Sequence, residues 1–563
     1  MRHFDAWLPA LILAVLLTVT GWAWLGRPVD LPPAPEAKLH CASYTPFRGD
    51  QTPFDPTMII PKAQIEEDLK RLQSTTDCIR TYAVNQGIDQ AVPVAAELGM
   101  KVLLGIWIGR NPVDNEAQIK RAIELAKAHP ETVKAIIVGN EVLLRGEQTG
   151  ETLAGMAQRI KAESGAKVTY ADVWEFWLRA PDVLKQSVDF ITIHILPYWE
   201  DDPLPVSEAV KHLESIVAEV QEAFPGREIV IGETGWPSEG RWREDAAPSI
   251  VNQARYLREF LVYAKAHQLD YNFIEAFDQP WKRYQEGTAG GFWGLFHEDR
   301  TPKFSWTEPV SNYPNWLTLA GISIALGFGV LVLADFWHHR PGGVARVVCA
   351  LGAMLAGSAL VLHFPHAWMA SRYDPKWVLE WEWILECVLG VQAVATAVLL
   401  ILTTVAGRLR DTGASLLEGI TWIRRPFRLP TIRDSIAVLR LAALLGAATV
   451  SLGLAFDPRY KDFPIAAYLV PALFFLVTDI ARGGLFAALA DRREEAGFAL
   501  LLAGTAVYVF INETPLNLMS DIWVVLTLLL ALPGIGAWRG IFQRRRTISS
   551  NPASRPTAAS PVL

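Results

Sequence analysis

Apolar and polar positions divide the chain into three stretches with different patterns. Trp7–Leu25 is an uncharged run of 19 residues preceded by Arg2, which is close to the length a helix needs to cross a bilayer. From residue 38 to residue 280, short apolar runs alternate with amphipathic segments. After residue 312, long apolar runs return. The pattern therefore predicts an anchor helix, a folded region of mixed α/β structure and an all-α polytopic membrane region.

The middle stretch contains eight short apolar runs that predict strands: Leu39–Tyr44, Cys78–Tyr82, Lys101–Trp107, Val133–Gly139, Lys167–Ala171, Val188–Ile195, Glu228–Gly232 and Tyr271–Phe277. Helical periodicity lies between them at Gln64–Gln73, Asn115–Ala128, Thr152–Glu163, Ser207–Phe224 and Val251–His267. Eight strand-helix units in about 250 residues predict a (β/α)₈ TIM barrel. An open doubly wound sheet is the alternative, but the first turn, Ser43-Tyr44-Thr45-Pro46-Phe47, lacks the glycines of a nucleotide site.

The last stretch contains seven apolar runs: Trp316–Ala334, Val347–Phe364, Cys387–Ala406, Ile436–Phe456, Ile465–Val477, Ala496–Ile511 and Ile522–Trp538. With the anchor they predict eight spans, although Ile465–Val477 and Ala496–Ile511 are short and the count could fall to seven or six. If the N-terminus is inside, seventeen Lys and Arg residues fall on the inner side and four on the outer side. This bias favours eight spans with both termini cytoplasmic. Arg440 and Asp479 lie near predicted span ends, where snorkelling is sufficient to explain them, so they do not indicate transport.

These patterns predict five regions. Residues 1–26 form a signal-anchor, for which cleavage is the alternative, and 27–37 form a Pro-rich spacer that holds a domain off the membrane. Residues 38–312 form the barrel, 313–546 form a membrane domain of about seven helices, and 547–563 form a disordered tail.

The composition supports a chain with one part in water and one part in a lipid bilayer. Of the 563 residues 51% are hydrophobic and 20% are charged, which excludes one compact soluble domain. Residues 1–312 carry a net charge of −12 and residues 313–563 carry +5. The basic residues form no stripe, so a nucleic-acid partner is not expected. The four cysteines have no zinc spacing, but Cys41 and Cys78 fall on neighbouring predicted strands and could be bridged.

Candidate chemistry lies at the predicted strand ends, where TIM barrels carry their active sites. The fourth strand runs into Asn140-Glu141, the seventh into Glu233-Thr-Gly-Trp236, and the eighth ends in a segment from Glu275 to Trp281. Two carboxylates opposed across the barrel mouth are what glycoside hydrolysis requires. The alternative for Glu141 is a structural carboxylate paired with an arginine. Aromatic residues at or just beyond strand ends fit a sugar groove: Tyr44, Tyr82, Trp107, Trp174, Trp177, Tyr198, Trp199, Trp236, Trp281 and Trp293.

The run Ile229-Val-Ile-Gly-Glu233-Thr-Gly-Trp236-Pro-Ser-Glu-Gly240 closely resembles the signature of glycoside hydrolase family 17, the β-1,3-glucanases and β-1,3-glucanosyltransferases. Arg80-Thr-Tyr82, Gly139-Asn140-Glu141 and Glu275-Ala-Phe-Asp-Gln-Pro-Trp281 resemble the same family, in the right order. The resemblance covers about residues 38–306 and implies a (β/α)₈ barrel with retaining chemistry. It implies Glu233 as nucleophile and Glu141 as general acid/base. The implied substrate-binding residues are Tyr44, Arg80, Tyr82, Asn140, Tyr198, Trp236, Glu275 and Trp281, and no metal or cofactor is implied.

The anchor and the multi-span region resemble the bacterial membrane-bound members of this family, including the rhizobial β-(1→6)-glucan synthases of cyclic β-(1,3;1,6)-glucan formation. One departure is that plant members carry Asn-x-Tyr-Pro-Tyr after the sixth strand, where this chain reads His194-Ile-Leu196-Pro-Tyr198. The hydroxyl expected at position 196 is therefore absent.

The expected activity is a membrane-anchored transglycosylase that cleaves β-1,3-glucan and transfers the glycosyl unit to an acceptor sugar in β-1,6 or β-1,3 linkage. An endo-β-1,3-glucanase is one alternative, and a non-catalytic glycan-binding or export subunit is another. The expected partners are β-glucan, the lipid bilayer and a glucan synthase or exporter in the same membrane. The expected location is the bacterial inner membrane, with the barrel on the periplasmic side.

Overall fold

The N-terminal part of the chain folds into a closed barrel of eight parallel strands in sequential order, β1 to β8, in a computed structural model. The structure describes residues 4–339, 341–370, 376–408, 416–425, 429–481, 494–513 and 515–550. The strands are β1 Ala42–Ser43, β2 Cys78–Arg80, β3 Lys101–Ile106, β4 Val133–Asn140, β5 Val168–Val173, β6 Ile191–His194, β7 Ile229–Thr234 and β8 Asp270–Phe273. The predicted TIM barrel is confirmed.

The helices of this region alternate with the strands and cover the outside of the barrel. They are α2 Lys62–Leu72, α3 Ala91–Glu97, α4 Pro112–Ala128, α5 Gly150–Ser164, α6 Trp174–Arg179, α7 Asp182–Ser187, α8 Val206–Ala223, α9 Ile250–His267 and α10 Arg283–Gly290, and α1 Phe4–Leu25 precedes them. The short helices α3, α6, α7 and α10 were absent from the predicted set because their few turns carry too little periodicity.

Alternation along each strand produces two cores. On β3, Val102 and Leu104 belong to the large cluster between strands and helices, whereas Leu103 belongs to a small cluster with Ala135 and Ile137 of β4. Successive strand side chains point to opposite faces, so the small cluster fills the barrel interior. Cys41 and Cys78 belong to the interior cluster and are joined by a disulfide with a Cα–Cα distance of 4.4 Å.

The predicted eighth strand ends earlier than expected. It was predicted to continue to Phe277, but β8 ends at Phe273. Beyond that point the Glu275 N–H donates to the Trp293 carbonyl and the Ala276 N–H donates to the Ser43 carbonyl. The segment from Glu275 therefore keeps its contact with β1 but pairs with the chain around Trp293 in place of β7.

Residues 27–37 pack against the barrel, whereas the sequence predicted a spacer. Val29 and Val310 form an antiparallel bridge, and the Ala34 N–H donates to the Trp306 carbonyl over 2.9 Å. The buried Arg258 of α9 donates to the carbonyls of both segments, at Leu31 and at Glu308. The described residues accordingly divide into one compact unit that spans Arg27–Pro314 and a second that contains α1 and the helices after Asn315.

The second unit is helical. Besides α1 it contains α11 Trp316–Leu333, α12 Gly343–Ala370, α13 Lys376–Val405, α14 Leu416–Ile423, α15 Ile432–Phe456, α16 Ile465–Ala481, α17 Glu495–Glu513 and α18 Leu518–Ser550. Among the described residues, seven helices are long and apolar enough to cross a membrane, and α16 is a shorter apolar helix. These helices indicate a multi-pass membrane protein.

The predicted tail and the predicted orientation both involve residues outside the described part of the chain. Helix α18 continues to Ser550, so the first four residues of the predicted 547–563 tail are helical, and residues 551–563 lie outside the described part. Some of the charged residues used to predict the orientation also lie outside it: Arg340, Arg372, Arg410, Arg428, Arg482, Arg492, Arg493 and Arg555.

Candidate active site

The end of β4 presents Glu141 through a backbone turn that depends on a glycine. Gly139 has φ 86° and Glu141 has φ 53°, so both lie in the left-handed region. A Cβ at position 139 would lie 2.5 Å from Val142 Cγ2, so the turn has no room for a side chain there. The Glu141 N–H donates to the Ala171 carbonyl of β5 over 2.8 Å. The turn thus fixes Glu141 at the barrel mouth, where its side chain is 23% exposed.

Glu233 lies on β7 and is buried under a cluster of donors. Arg80 Nη1 of β2 donates to Glu233 Oε1 over 3.0 Å, and the Tyr82 hydroxyl donates to the same oxygen over 2.9 Å. Burial would raise the pKa of Glu233, but His194 and Arg80 outweigh burial and hold the pKa below the usual glutamate value. Glu233 is therefore stabilised as an anion at neutral pH.

His194, at the end of β6, lies between the two carboxyl groups. Its Nδ1 is 2.9 Å from Glu141 Oε1 and its Nε2 is 3.7 Å from Glu233 Oε1. One atom from each of the three side chains can be chosen so that all lie within 4.8 Å of one another. The carboxyl groups of retaining glycosidases are about 5–5.5 Å apart, whereas inverting enzymes need about 6.5–9.5 Å to admit a water molecule. The spacing of Glu141 and Glu233 thus fits a double displacement.

A second buried ion pair, between Lys282 and Glu275, lies in the segment after β8. Lys282 Nζ is 2.9 Å from Glu275 Oε1, and Thr45 donates to the other Glu275 oxygen over 3.2 Å. Burial alone would lower the pKa of Lys282, but Glu275 and Glu286 outweigh it and the pKa lies above the usual lysine value. Burial raises the pKa of Glu286 to about 7. Arg80 and Lys282 thus supply the positive charge that the buried carboxylates of Glu233 and Glu275 require.

Aromatic rings line two sides of the mouth. Trp281 is half-buried and makes edge contacts with Phe47 and with Phe54, which is 52% exposed. On the β3 side, Trp107 is 44% exposed, and the Arg145 guanidinium lies 4.3 Å from the centre of its ring. Exposed aromatic faces beside two carboxylates are typical of a carbohydrate groove.

The structure brings together five of the ten predicted site residues in one hydrogen-bonded group. Arg80 donates to Glu233 and, through Nη2, to Asn140 Oδ1 over 2.5 Å. The group consists of Glu233, Arg80, Tyr82 and Asn140, and His194 joins Glu141 to it. Glu275 lies beside it through Lys282, and Trp281 lies at the rim.

The other three predicted residues are fully buried. The Tyr44 hydroxyl donates to Asp68, the Tyr198 hydroxyl to the Arg241 carbonyl, and Trp236 Nε1 to the Ala247 carbonyl. In this arrangement Tyr44, Tyr198 and Trp236 support the walls of the site from beneath and present no ring to the groove.

Two residues of the site were absent from the predicted set. His194 ends a buried strand, so the strand-end rule that selected Glu141 could also have selected it. Lys282 carries no comparable signal, because it lies in a short helical turn whose position depends on how the chain curves after β8.

Comparison with known proteins is consistent with this geometry. Residues 41–294 match the family described as BtgE/BtgC glycoside hydrolase domain. Identity to a glucan 1,3-beta-glucosidase of Arthroderma benhamiae is 29% over 264 residues, covering 43% of this chain and 84% of the relative. Identity to a glucan 1,3-beta-glucosidase of Saccharomyces cerevisiae is 25% over 270 residues, covering 43% of this chain and 83% of the relative.

Among solved structures, the glycoside hydrolase family 17 β-1,3-glucanosyltransferase of Rhizomucor miehei is 28% identical, with a TM-score of 0.42. The superposition covers 47% of this chain and 95% of that structure. Over residues 41–294, which contain the barrel, this chain is therefore similar to the BtgE/BtgC glycoside hydrolase domain.

Proposed function

We propose that the barrel is a retaining enzyme acting on β-1,3-glucan, with Glu233 as nucleophile and Glu141 as general acid/base. The observation that carries this proposal is the spacing of the two carboxyl groups across His194, with one oxygen of each within 4.8 Å. The named relatives are glucan 1,3-beta-glucosidases, which supports β-1,3-glucan as the substrate class.

In the first step the ionised Glu233 attacks the anomeric carbon, and Glu141 gives its proton to the departing sugar oxygen. The lowered pKa of Glu233 suits this role, since the attacking group must be an anion. In the second step Glu141 takes a proton from the incoming hydroxyl, which attacks the anomeric carbon and releases Glu233. Arg80 and Tyr82 hold Glu233 in place for both steps.

The incoming hydroxyl decides between transfer and hydrolysis, and we propose transfer to a sugar in β-1,6 or β-1,3 linkage. A glycosyl-enzyme held at a membrane, beside a glucan synthase or exporter, meets a high local concentration of acceptor sugar. The apolar helices support the membrane location. An endo-β-1,3-glucanase is the competing function, and it uses the same residues.

We place the barrel on the periplasmic side of a bacterial inner membrane, with both termini cytoplasmic. The distribution of arginine residues supports this orientation. The Cys41–Cys78 disulfide supports it independently, because disulfides persist in oxidising compartments such as the bacterial periplasm.

The test is to give the purified full chain laminari-oligosaccharides and to determine product masses over time. Products longer than the substrate would establish transfer, and only shorter products would establish hydrolysis. Glu233→Gln should abolish both. Glu163→Gln is the matched control. Glu163 is half-exposed near the end of α5 and precedes the start of β5, whereas the site lies where the strands end, so this variant should be as active as the wild type. No turnover by the wild type would favour the non-catalytic glycan-binding or export subunit.

A further inference from the structure

His194 touches both carboxyl groups of the proposed reaction with one ring. The side chain is 1% exposed, with Nδ1 2.9 Å from Glu141 Oε1 and Nε2 3.7 Å from Glu233 Oε1. Nε2 also lies 3.5 Å from Arg80 Nη1. The chain thus places an ionisable ring between the proposed nucleophile and the proposed acid/base.

The ring is held in this position by the backbone of the next strand. A Cβ added to Gly232 would lie 2.9 Å from His194 Cδ2, 3.1 Å from its Nε2 and 2.6 Å from Thr192 Cγ2. The imidazole therefore packs directly over a position without a side chain. A ring packed in this way cannot turn without losing its contact with Glu141.

Charged and titratable groups face His194 from four strands, and Lys282 adds a charge near Glu233. They are Arg80 of β2, Glu141 after β4, Asp172 of β5 and Glu233 of β7. Burial raises the pKa of Asp172 to about 6, and its carboxylate accepts the N–H groups of Leu143 and Leu144 in the segment after Glu141. Asp172 is therefore engaged with the backbone, which leaves Glu141 as the close hydrogen-bonding partner of the ring.

The contact with Glu141 requires a hydrogen on Nδ1. A hydrogen there serves the contact whether or not Nε2 also carries one. Nδ1–H donates to Glu141 Oε1, which leaves Glu141 Oε2 to carry the proton that goes to the leaving group.

We infer that His194 is a positioning residue that holds Glu141 through Oε1, so that Oε2 delivers and later removes the catalytic proton. This inference rests on the proposed retaining function. In the first step the Oε2–H bond breaks and the proton passes to the glycosidic oxygen, which leaves with the electron pair of the broken C–O bond. In the second step Oε2 takes the proton of the incoming hydroxyl, while His194 keeps its own Nδ1 hydrogen throughout.

The test compares two variants of the full chain on two substrates. Laminari-oligosaccharides have a poor leaving group that needs the Glu141 proton, whereas a dinitrophenyl β-laminaribioside has a leaving group that departs without it. His194→Leu removes the donor, so kcat/KM on the oligosaccharide should fall by about tenfold or more, while kcat/KM on the dinitrophenyl substrate stays within about threefold. His194→Asn keeps an N–H near the position of Nδ1 and should restore most of the loss.

The pH profile tests the contact of the ring with Glu233. His194 helps to hold the pKa of Glu233 low, so either variant should move the acidic limb of kcat/KM to higher pH.

Equal losses on both substrates in His194→Leu would overturn the inference, because misfolding or damage to Glu233 would lower both. No loss on either substrate would also overturn it. The failure of the proposed function looks different: the wild type would not turn over either substrate, or Glu233→Gln would be as active as the wild type.

Discussion

Arg80 Nη1 lies 3.0 Å from Glu233 Oε1, and this buried contact joins the ends of β2 and β7. The same nitrogen donates to the Gly232 carbonyl over 2.8 Å, and Nη2 donates to Asn140. One planar guanidinium therefore aligns three groups from two strands on either side of the barrel mouth. It also supplies part of the positive potential that keeps Glu233 ionised.

We expect Arg80→Lys to impair catalysis although it keeps the charge. A lysine ammonium is a single point on a flexible stem and cannot satisfy Glu233, the Gly232 carbonyl and Asn140 together. We expect kcat/KM on laminari-oligosaccharides to fall about 10²-fold, the scale seen when one preorganised donor of an active site is removed.

Arg80→Met should shift the pH dependence as well. Because Arg80 lowers the pKa of Glu233, its loss raises that pKa, and the acidic limb of kcat/KM moves to higher pH. Profiles between about pH 4 and 8 would measure the shift, with Arg80→Lys as the variant that retains a charge. An acidic limb at the same pH in Arg80→Met would contradict the role assigned to this pair.

Azide should separate the roles of the two carboxyl groups. In Glu141→Ala with a dinitrophenyl donor, the glycosyl-enzyme forms on Glu233 but lacks its base. Azide needs no base, so it should restore turnover and yield a β-glycosyl azide. In Glu233→Ala, azide occupies the place of the nucleophile and should yield an α-glycosyl azide. Proton coupling constants of the products distinguish the two, and the opposite pairing would exchange the two roles.

The sequence predicts the site well where the fold itself selects the residues. Parallel strands of a barrel end at one face, so Asn140, Glu141 and Glu233 could be identified from strand ends alone. Tyr44 and Tyr198 occupy similar sequence positions, yet both are fully buried. An aromatic residue at a strand end can line the groove or pack beneath it, and only the three-dimensional neighbours decide which.

Long-range pairing limits the prediction in the second unit. Arg440 was expected to snorkel from a span end, but it is 1% exposed and pairs with Glu495 on another helix. Its partner lies 55 residues along the chain, and no local pattern links the two. The same reason explains residues 27–37, whose pairing with Val310 depends on the distant end of the barrel segment.

The Cys41–Cys78 disulfide should contribute to the stability of the barrel. It closes a loop with a sequence separation of 37, and a loop of that size corresponds to about 3–4 kcal/mol in the chain-entropy account. Cys41→Ser with Cys78→Ser should lower the apparent melting temperature of the full chain in detergent. A reductant should lower that of the wild type similarly and leave the variant unchanged. No response of the wild type to reductant under partly denaturing conditions would contradict the bridge.

Arg440 should stabilise the second unit through its pair with Glu495. Arg440 Nε and Nη2 donate to the two Glu495 oxygens over 2.7 and 2.8 Å, which joins α15 to α17. Arg440→Leu removes the cation that faces two buried carboxylates, Glu495 at 2.7 Å and Asp479 at 3.8 Å, and should cost about 3–5 kcal/mol. Replacing Arg440 and Glu495 by Leu removes the closer pair of charges and should recover part of the loss, because well-packed apolar groups can replace a buried ion pair, whereas Asp479 keeps its charge in both variants.

The measurement is the apparent melting temperature of the detergent-solubilised chain, with product formation from laminari-oligosaccharides at low temperature as the control. Because the pair lies outside the compact unit that contains the barrel, low-temperature turnover should be unchanged in each variant. If the double variant melts at the same temperature as Arg440→Leu, removing the charge of Glu495 does not restore stability. The stability would then depend on the contact of Arg440 with Asp479 and on its packing against Phe475, whose ring centre lies 4.9 Å from the guanidinium.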